Sequence, residues 1–181
     1  MCLAIFLVAV DGTVLSLATP SIVRDLQPTA TQVLWIGEIY SFVLAGLLIK
    51  MGNLGDRWGR KRMLLIGGSL FAVLSVFAAY AQNAETLILM RALLGVAGAT
   101  LMPSTLALMR STFTDDAERS FAVGVWSAMG AAGAAAGPLF GGILLQHFWW
   151  GSVFLVNVPI MALVLIIGIP TLRESWDPEP G

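Results

Sequence analysis

Three ionisable side chains stand inside long apolar runs, where an ionised group is costly. Asp11 interrupts the first run, Glu38 the second and Arg91 the fourth. Each costs about 2.5–3.5 kcal/mol near the centre of a lipid-facing helix, so such groups face a cavity or pair with one another. Two acids and one base allow a single ion pair and leave one carboxylate uncompensated. Desolvation disfavours the charged form of that carboxylate, and a carboxyl poised between its two forms can bind and release protons. The competing reading is a buried pair that only holds helices together. Glu38 has a further alternative, as an interface residue whose side chain reaches the membrane surface. Asp11 is too deep for that and is the strongest functional candidate.

Other chemistries are poorly supplied. His147 and Cys2 are the sole members of their types, which disfavours a histidine-based metal site or triad and leaves no internal disulfide. No motif places a serine beside His147, which leaves an intramembrane Ser/His protease without support. No G-K-[ST] follows a glycine run, so no phosphate-binding loop is present. With 10 Lys+Arg against 11 Asp+Glu, there is no basic excess to bind nucleic acid. The expectation is no enzyme, no cofactor, no metal and no nucleic-acid partner.

The elements that position these residues follow from composition. The 181 residues are 57% hydrophobic and 12% charged, with mean hydropathy +0.85. Soluble domains carry about 25% charged residues; this chain suits a lipid bilayer. Six spans are predicted at about 1–19, 34–51, 63–84, 86–109, 120–145 and 152–171, each near the length a bilayer requires. Residues 1–172 then form one six-helix bundle, and 173–181 a polar tail or the start of a linker.

Lys50, Arg57, Arg60, Lys61, Arg62, Arg110, Arg119 and Arg173 fall at alternate ends of these spans, whereas the other ends hold only Arg24. The positive-inside rule places both termini in the cytoplasm, and Trp35, Trp149 and Trp150 at the outer interface. A cleaved signal peptide is disfavoured, because Met1 to Val10 lacks a basic flank and Asp11 breaks the apolar stretch. At 1.5 Å per residue, Asp11 lies about 13 Å below the outer surface, and Glu38 and Arg91 about 6–8 Å. A shared polar pocket is geometrically possible.

Two further patterns concern movement. The fifth span carries Gly133, Gly137, Pro138, Gly141 and Gly142; small residues four apart allow close helix approach, and an internal proline bends a helix. Between spans two and three lies a short loop of Gly52, Leu54, Asp56, Arg57, Gly59, Arg60, Lys61 and Arg62. An acid immediately before a basic run suggests a switchable ion pair. At an offset of ninety, Gly52, Leu54 and Trp58 match Gly142, Leu144 and Phe148, a faint echo of the kind that two inverted three-helix repeats produce.

Together these residues resemble the major facilitator superfamily. Gly52 to Lys61 matches its signature G-x-L-x-D-R-x-G-R-K, and Leu87, Arg91 and Gly95 match its companion pattern, with Leu94 where glutamine is usual. Gly133 to Gly142 is similar to the antiporter pattern g-x-x-x-G-P-x-x-G-G. Asp11 to Pro20 resembles the first-helix motif of the fourteen-helix drug:proton antiporters, with Ser16 where asparagine is usual, and Leu34 to Tyr40 is similar to the second helix of their quaternary-ammonium and multidrug pumps.

The resemblance implies an all-α membrane fold, six transmembrane helices forming the amino-terminal half of the transporter as two inverted repeats. It implies proton-driven export of lipophilic, cationic small molecules across the plasma or inner membrane, with the proton gradient as energy source. In that scheme Asp11 carries protons and Arg91 tunes it, Asp56 and Arg57 latch conformations, and the Gly137-Pro138 helix lines the interface with the missing carboxy-terminal half. The chain is then a fragment or a truncated product. The alternatives are an exporter of a metabolite or lipid, and a non-transporting remnant or assembly partner.

Overall fold

In a bilayer every backbone N–H and C=O must be satisfied within the segment, which leaves the helix as the structure open to runs such as these. The computed structural model describes residues 2–171, arranged as helices α1 Cys2–Thr13, α2 Leu15–Leu26, α3 Ala30–Trp58, α4 Arg60–Ala79, α5 Ala84–Thr112, α6 Asp116–His147, α7 Ser152–Leu155 and α8 Asn157–Thr171. The tail expected at 173–181 lies outside the described residues. α3, α4, α5, α6 and the Ser152–Thr171 segment are each long and apolar enough to cross a membrane, and α1 with α2 makes a sixth span bent by 49°. Short polar caps set several starts. Thr29 and Gln32 form a reciprocal capping box on α3, Asn83 accepts from the Thr86 N–H of α5, and Asp115 from the Glu118 N–H of α6.

The loop predicted across 52–62 is not a loop. α3 continues to Trp58, α4 begins at Arg60, and Gly59 alone separates them, with φ 107° and ψ 124°. A side chain is strained at that φ, so glycine permits a one-residue corner where any other residue resists it.

The bend between α1 and α2 has local causes. The Thr13 hydroxyl donates to the Ala9 and Val10 carbonyls at 3.3 and 3.4 Å, and the Ser16 hydroxyl to the Thr13 carbonyl at 3.0 Å. Such back-bonding competes with the helical ladder and tilts it. One turn later Pro20 offers no N–H to the ladder.

α5 is the central element: 61% of its most apolar stretch is buried, against 11% for α3 and 17% for α6. α3 and α4 flank α5, α6 runs along α1, and α8 packs on α4. The first span thus pairs with the fifth and the second with the fourth. Those two pairs exchange if spans one to three are superposed on spans four to six, the relation that inverted repeats require.

Glycine makes the closest of these approaches possible. A Cβ at Gly95 would lie 2.7 Å from the Tyr40 carbonyl of α3, and one at Gly133 would lie 2.5 Å from the Phe6 carbonyl of α1. A Cβ at Gly137 would collide with the Thr13 hydroxyl at the bend, and Gly141 continues the stripe against Val14. The glycines therefore pack the fifth span on the first, as small-residue spacing predicts. That stripe is buried within this bundle, while the opposite, open face of α6 carries Leu139 and Ile143. Of the three tryptophans, Trp35 and Trp149 are exposed, whereas Trp150 is buried, edge-on to Phe154.

Replacing Gly133 by valine drives a side chain into the α1 backbone. We expect a loss of about 2 kcal/mol or more in the stability of the detergent-purified protein, read as a fall in its thermal midpoint. Gly124 has nothing within 4 Å of a built Cβ, so Gly124→Ala leaves that midpoint level or slightly raised.

Candidate functional site

Arg91 lies about two turns into α5, and its side chain is fully buried, as is that of Asp11. The Gly95 approach of α3 to α5 brings the Ile36 carbonyl within 3.3 Å of Arg91 Nε. It also sets the Tyr40 ring under the guanidinium, 4.6 Å from Cζ to the ring centroid, with Phe154 of α7 farther off at 6.0 Å. A cation over an aromatic face is stabilised by the ring quadrupole, more so when desolvated. From α1, Asp11 completes the site: Arg91 Nη1 donates to Asp11 Oδ2 at 2.9 Å and to the Asp11 carbonyl at 3.1 Å. The guanidinium thus holds both the side chain and the backbone of the residue just before the bend.

Two more groups close the cluster. The Tyr40 hydroxyl donates to the Val8 carbonyl at 3.0 Å, tying α3 to α1. Asn157, the first residue of α8 and fully buried, donates from Nδ2 to Asp11 Oδ1 at 3.4 Å. Sequence reading missed Asn157. Its signal was available, since it is an amide in the most hydropathic of the spans, but no charge drew attention to it.

Glu38 does not join this cluster. It is exposed on α3 and lines an open pocket of about 430 Å³ with Gly12, Thr13, Ser16, Thr19 and Pro138. The shared polar pocket that the depths allowed is not formed; there are two neighbouring sites, a sealed Asp11–Arg91 pair and an open pocket bearing Glu38. Helix rotation explains the separation: Ile36 and Tyr40 face α5, and Glu38 between them points away. Gly12 and Thr13 line the open pocket one and two residues after Asp11, so the same bend borders both sites.

At the basic end, Asp56 pairs with Arg60 one helical turn on, through Nε and Nη2, both at 2.9 Å. The ion pair that the sequence suggested between Asp56 and the basic run is made with Arg60, because Gly59 folds the start of α4 back towards Asp56. Gly52, Gly55, Asp56 and Arg60 border a small cavity of about 80 Å³ with Pro103 and Ser104 of α5. Lys61 Nζ donates to the Ile169 carbonyl at 2.6 Å, fastening α4 to the last turn of α8. Among the described residues no group of three His, Cys, Asp or Glu could hold a metal ion.

Comparison with known proteins agrees with this architecture. The chain is 54% identical over 181 residues to the multidrug efflux pump LfrA of Mycolicibacterium smegmatis, covering all of this chain and 36% of the pump. It is 51% identical over 158 residues to the methyl viologen resistance protein SmvA of Salmonella typhimurium, covering 87% of this chain and 32% of that protein. It thus spans about a third of the length of these relatives. The fold matches a bacterial homolog of the human lysosomal transporter Spinster, solved inward-facing and unoccupied, with a TM-score of 0.75 at 22% identity over 99% of this chain and 42% of that one. The family model for the Major Facilitator Superfamily matches residues 1–181, and the chain belongs to that family.

Proposed function

We propose that this chain is the amino-terminal half of a proton-coupled multidrug exporter, which exchanges lipophilic, cationic small molecules for protons by alternating access. Its termini are cytoplasmic and it resides in the plasma or inner membrane. The substrate class is supported by the names of its relatives, a multidrug efflux pump and a methyl viologen resistance protein. The coupling is supported above all by Asp11, a buried carboxylate shared between Arg91 and Asn157.

The mechanism follows from the way the bend borders both sites. With Asp11 ionised, Arg91 grips its carboxylate and its backbone carbonyl, which fixes α1 on α5 and the bend with it. Protonation cancels the charge that Arg91 pairs with, the grip weakens, and the turn bearing Gly12, Thr13 and Ser16 is released. Those residues line the pocket in which Glu38 meets a cation. A proton on Asp11 and a drug beside Glu38 thus favour different arrangements of one bend, and each promotes release of the other. At the basic end, Asp56 and Arg57 with Arg60 and Lys61 form the contact that is made and broken as the halves rock.

Two outcomes test this in the complete transporter. Asp11→Asn abolishes proton-driven uptake of a cationic dye into everted vesicles; undiminished uptake removes Asp11 from the coupling. Glu38→Gln removes a charged contact worth about 1.5–3 kcal/mol, which is a rise of roughly tenfold or more in KM for the cationic dye. A neutral drug is exported with little change, and an equal loss for both substrates contradicts the assignment of Glu38 to cation binding.

A further inference from the structure

We propose that Asn157 is the positioning residue that sets the pH at which Asp11 exchanges its proton, by serving the carboxylate as a donor and the protonated carboxyl as an acceptor. The proposal rests on the reading of Asp11 as proton carrier.

The two oxygens of Asp11 are inequivalent. Oδ2 takes the charged donor, Arg91 Nη1, at 2.9 Å, and Oδ1 takes only the neutral amide of Asn157 at 3.4 Å. Oδ1 is therefore the oxygen that accepts a proton, since Oδ2 faces a cation. A protonated Oδ1 needs an acceptor in place of a donor. Asn157 carries one on the same amide, and its Oδ1 has no hydrogen-bond partner among the described residues. Turning the amide over exchanges N–H···O⁻ for C=O···H–O without moving a backbone atom. An aliphatic side chain serves neither form.

The groups that could substitute are few. α5 contributes Arg91, whose Nη2 is also without a hydrogen-bond partner among the described residues, and α3 contributes Tyr40, whose hydroxyl is committed to the Val8 carbonyl. α6 packs on α1 through Gly130, Gly133 and Gly137 and bears its ionisable residues Asp116, Glu118, Arg119 and His147 only near its ends. α2 has Arg24 and Asp25 in its last turn, α7 carries no ionisable residue, and α4, packed on α8, bears Arg60, Lys61 and Arg62 in its first turn, near the end of α8 opposite Asn157. The position of Asn157 adds a route outward. It opens α8 directly after the break at Val156, so turning its amide acts at the joint of the sixth span.

The test uses the complete transporter, purified, with tetraphenylphosphonium as the probe and proton release on its addition followed with a pH-sensitive dye across a pH series. Asn157→Leu, close in shape but without hydrogen bonding, shifts the midpoint of release by about half to one pH unit. Asn157→Gln, which keeps an amide, returns the midpoint toward wild type. If the leucine variant is not monodisperse on size exclusion, Asn157→Ala is measured in its place with the same expected shift. An unmoved midpoint in the leucine or alanine variant overturns the proposal, and so does an equal shift with glutamine, which would assign the effect to packing. Asp11→Asn separates the two levels. Release that survives it overturns the proton-carrier reading itself, whereas release lost there with an unmoved midpoint in Asn157→Leu overturns only the role of Asn157.

Discussion

A guanidinium sealed inside a helical bundle dictates much of what surrounds it. Arg91 has five N–H donors and no acceptor, and it cannot shed its charge as a lysine can. Its neighbours therefore have to bring it an anion, carbonyls and an aromatic face. Asp11, the Ile36 and Asp11 carbonyls and the Tyr40 ring do so from α1 and α3. These requirements fix the depth and rotation of both helices relative to α5. The glycines at 95, 98, 133 and 137 are the permissive side of the same arrangement. They let backbones come near enough for short contacts to be made.

The arrangement is asymmetric in a way that suits a transporter. Asp11 sits two residues before Thr13 and three before the turn at Val14, where the first span bends. The pair acts on a joint. On the far side of that joint lies an open pocket with an acid and several hydroxyls, and Asn157 opens another helix after a second break. The sealed cluster and the open pocket thus border one bent segment, and the proposed coupling requires that charge in the first and occupancy of the second bias two arrangements of it.

Much of this was legible in the sequence, for reasons that can be named. The spans stood out because hydropathy and bilayer thickness leave few solutions, and Asp11, Glu38 and Arg91 stood out because charge in such spans is expensive. Depth could be counted along each helix, but rotation could not, so a pocket shared with Arg91 stayed open for Glu38, which lies on the opposite side of α3. Gly59 hid the corner between α3 and α4, because a charge-rich stretch dense in glycine reads as a loop until a single φ shows where the turn is made. Which base of the run pairs with Asp56 was not legible either, because it depends on the Gly59 corner that brings Arg60 of α4 back over the end of α3. Asn157 escaped notice because it is uncharged, although a buried amide in an apolar span makes the same demand for a partner on a smaller scale.

The account turns on Asp11 and Arg91 acting as one unit, and a double-substitution cycle in the complete transporter measures that directly. Thermal unfolding is compared for Asp11→Leu, Arg91→Met and the two together. Removing one member of a buried pair strands the other charge, at a cost on the order of 3–5 kcal/mol, whereas removing both does not. The account predicts that the double variant unfolds at a higher temperature than Asp11→Leu alone, in which Arg91 keeps a charge it cannot shed. Losses that simply add would mean that the two residues do not depend on each other, and the bend would then have to be held by something other than this pair.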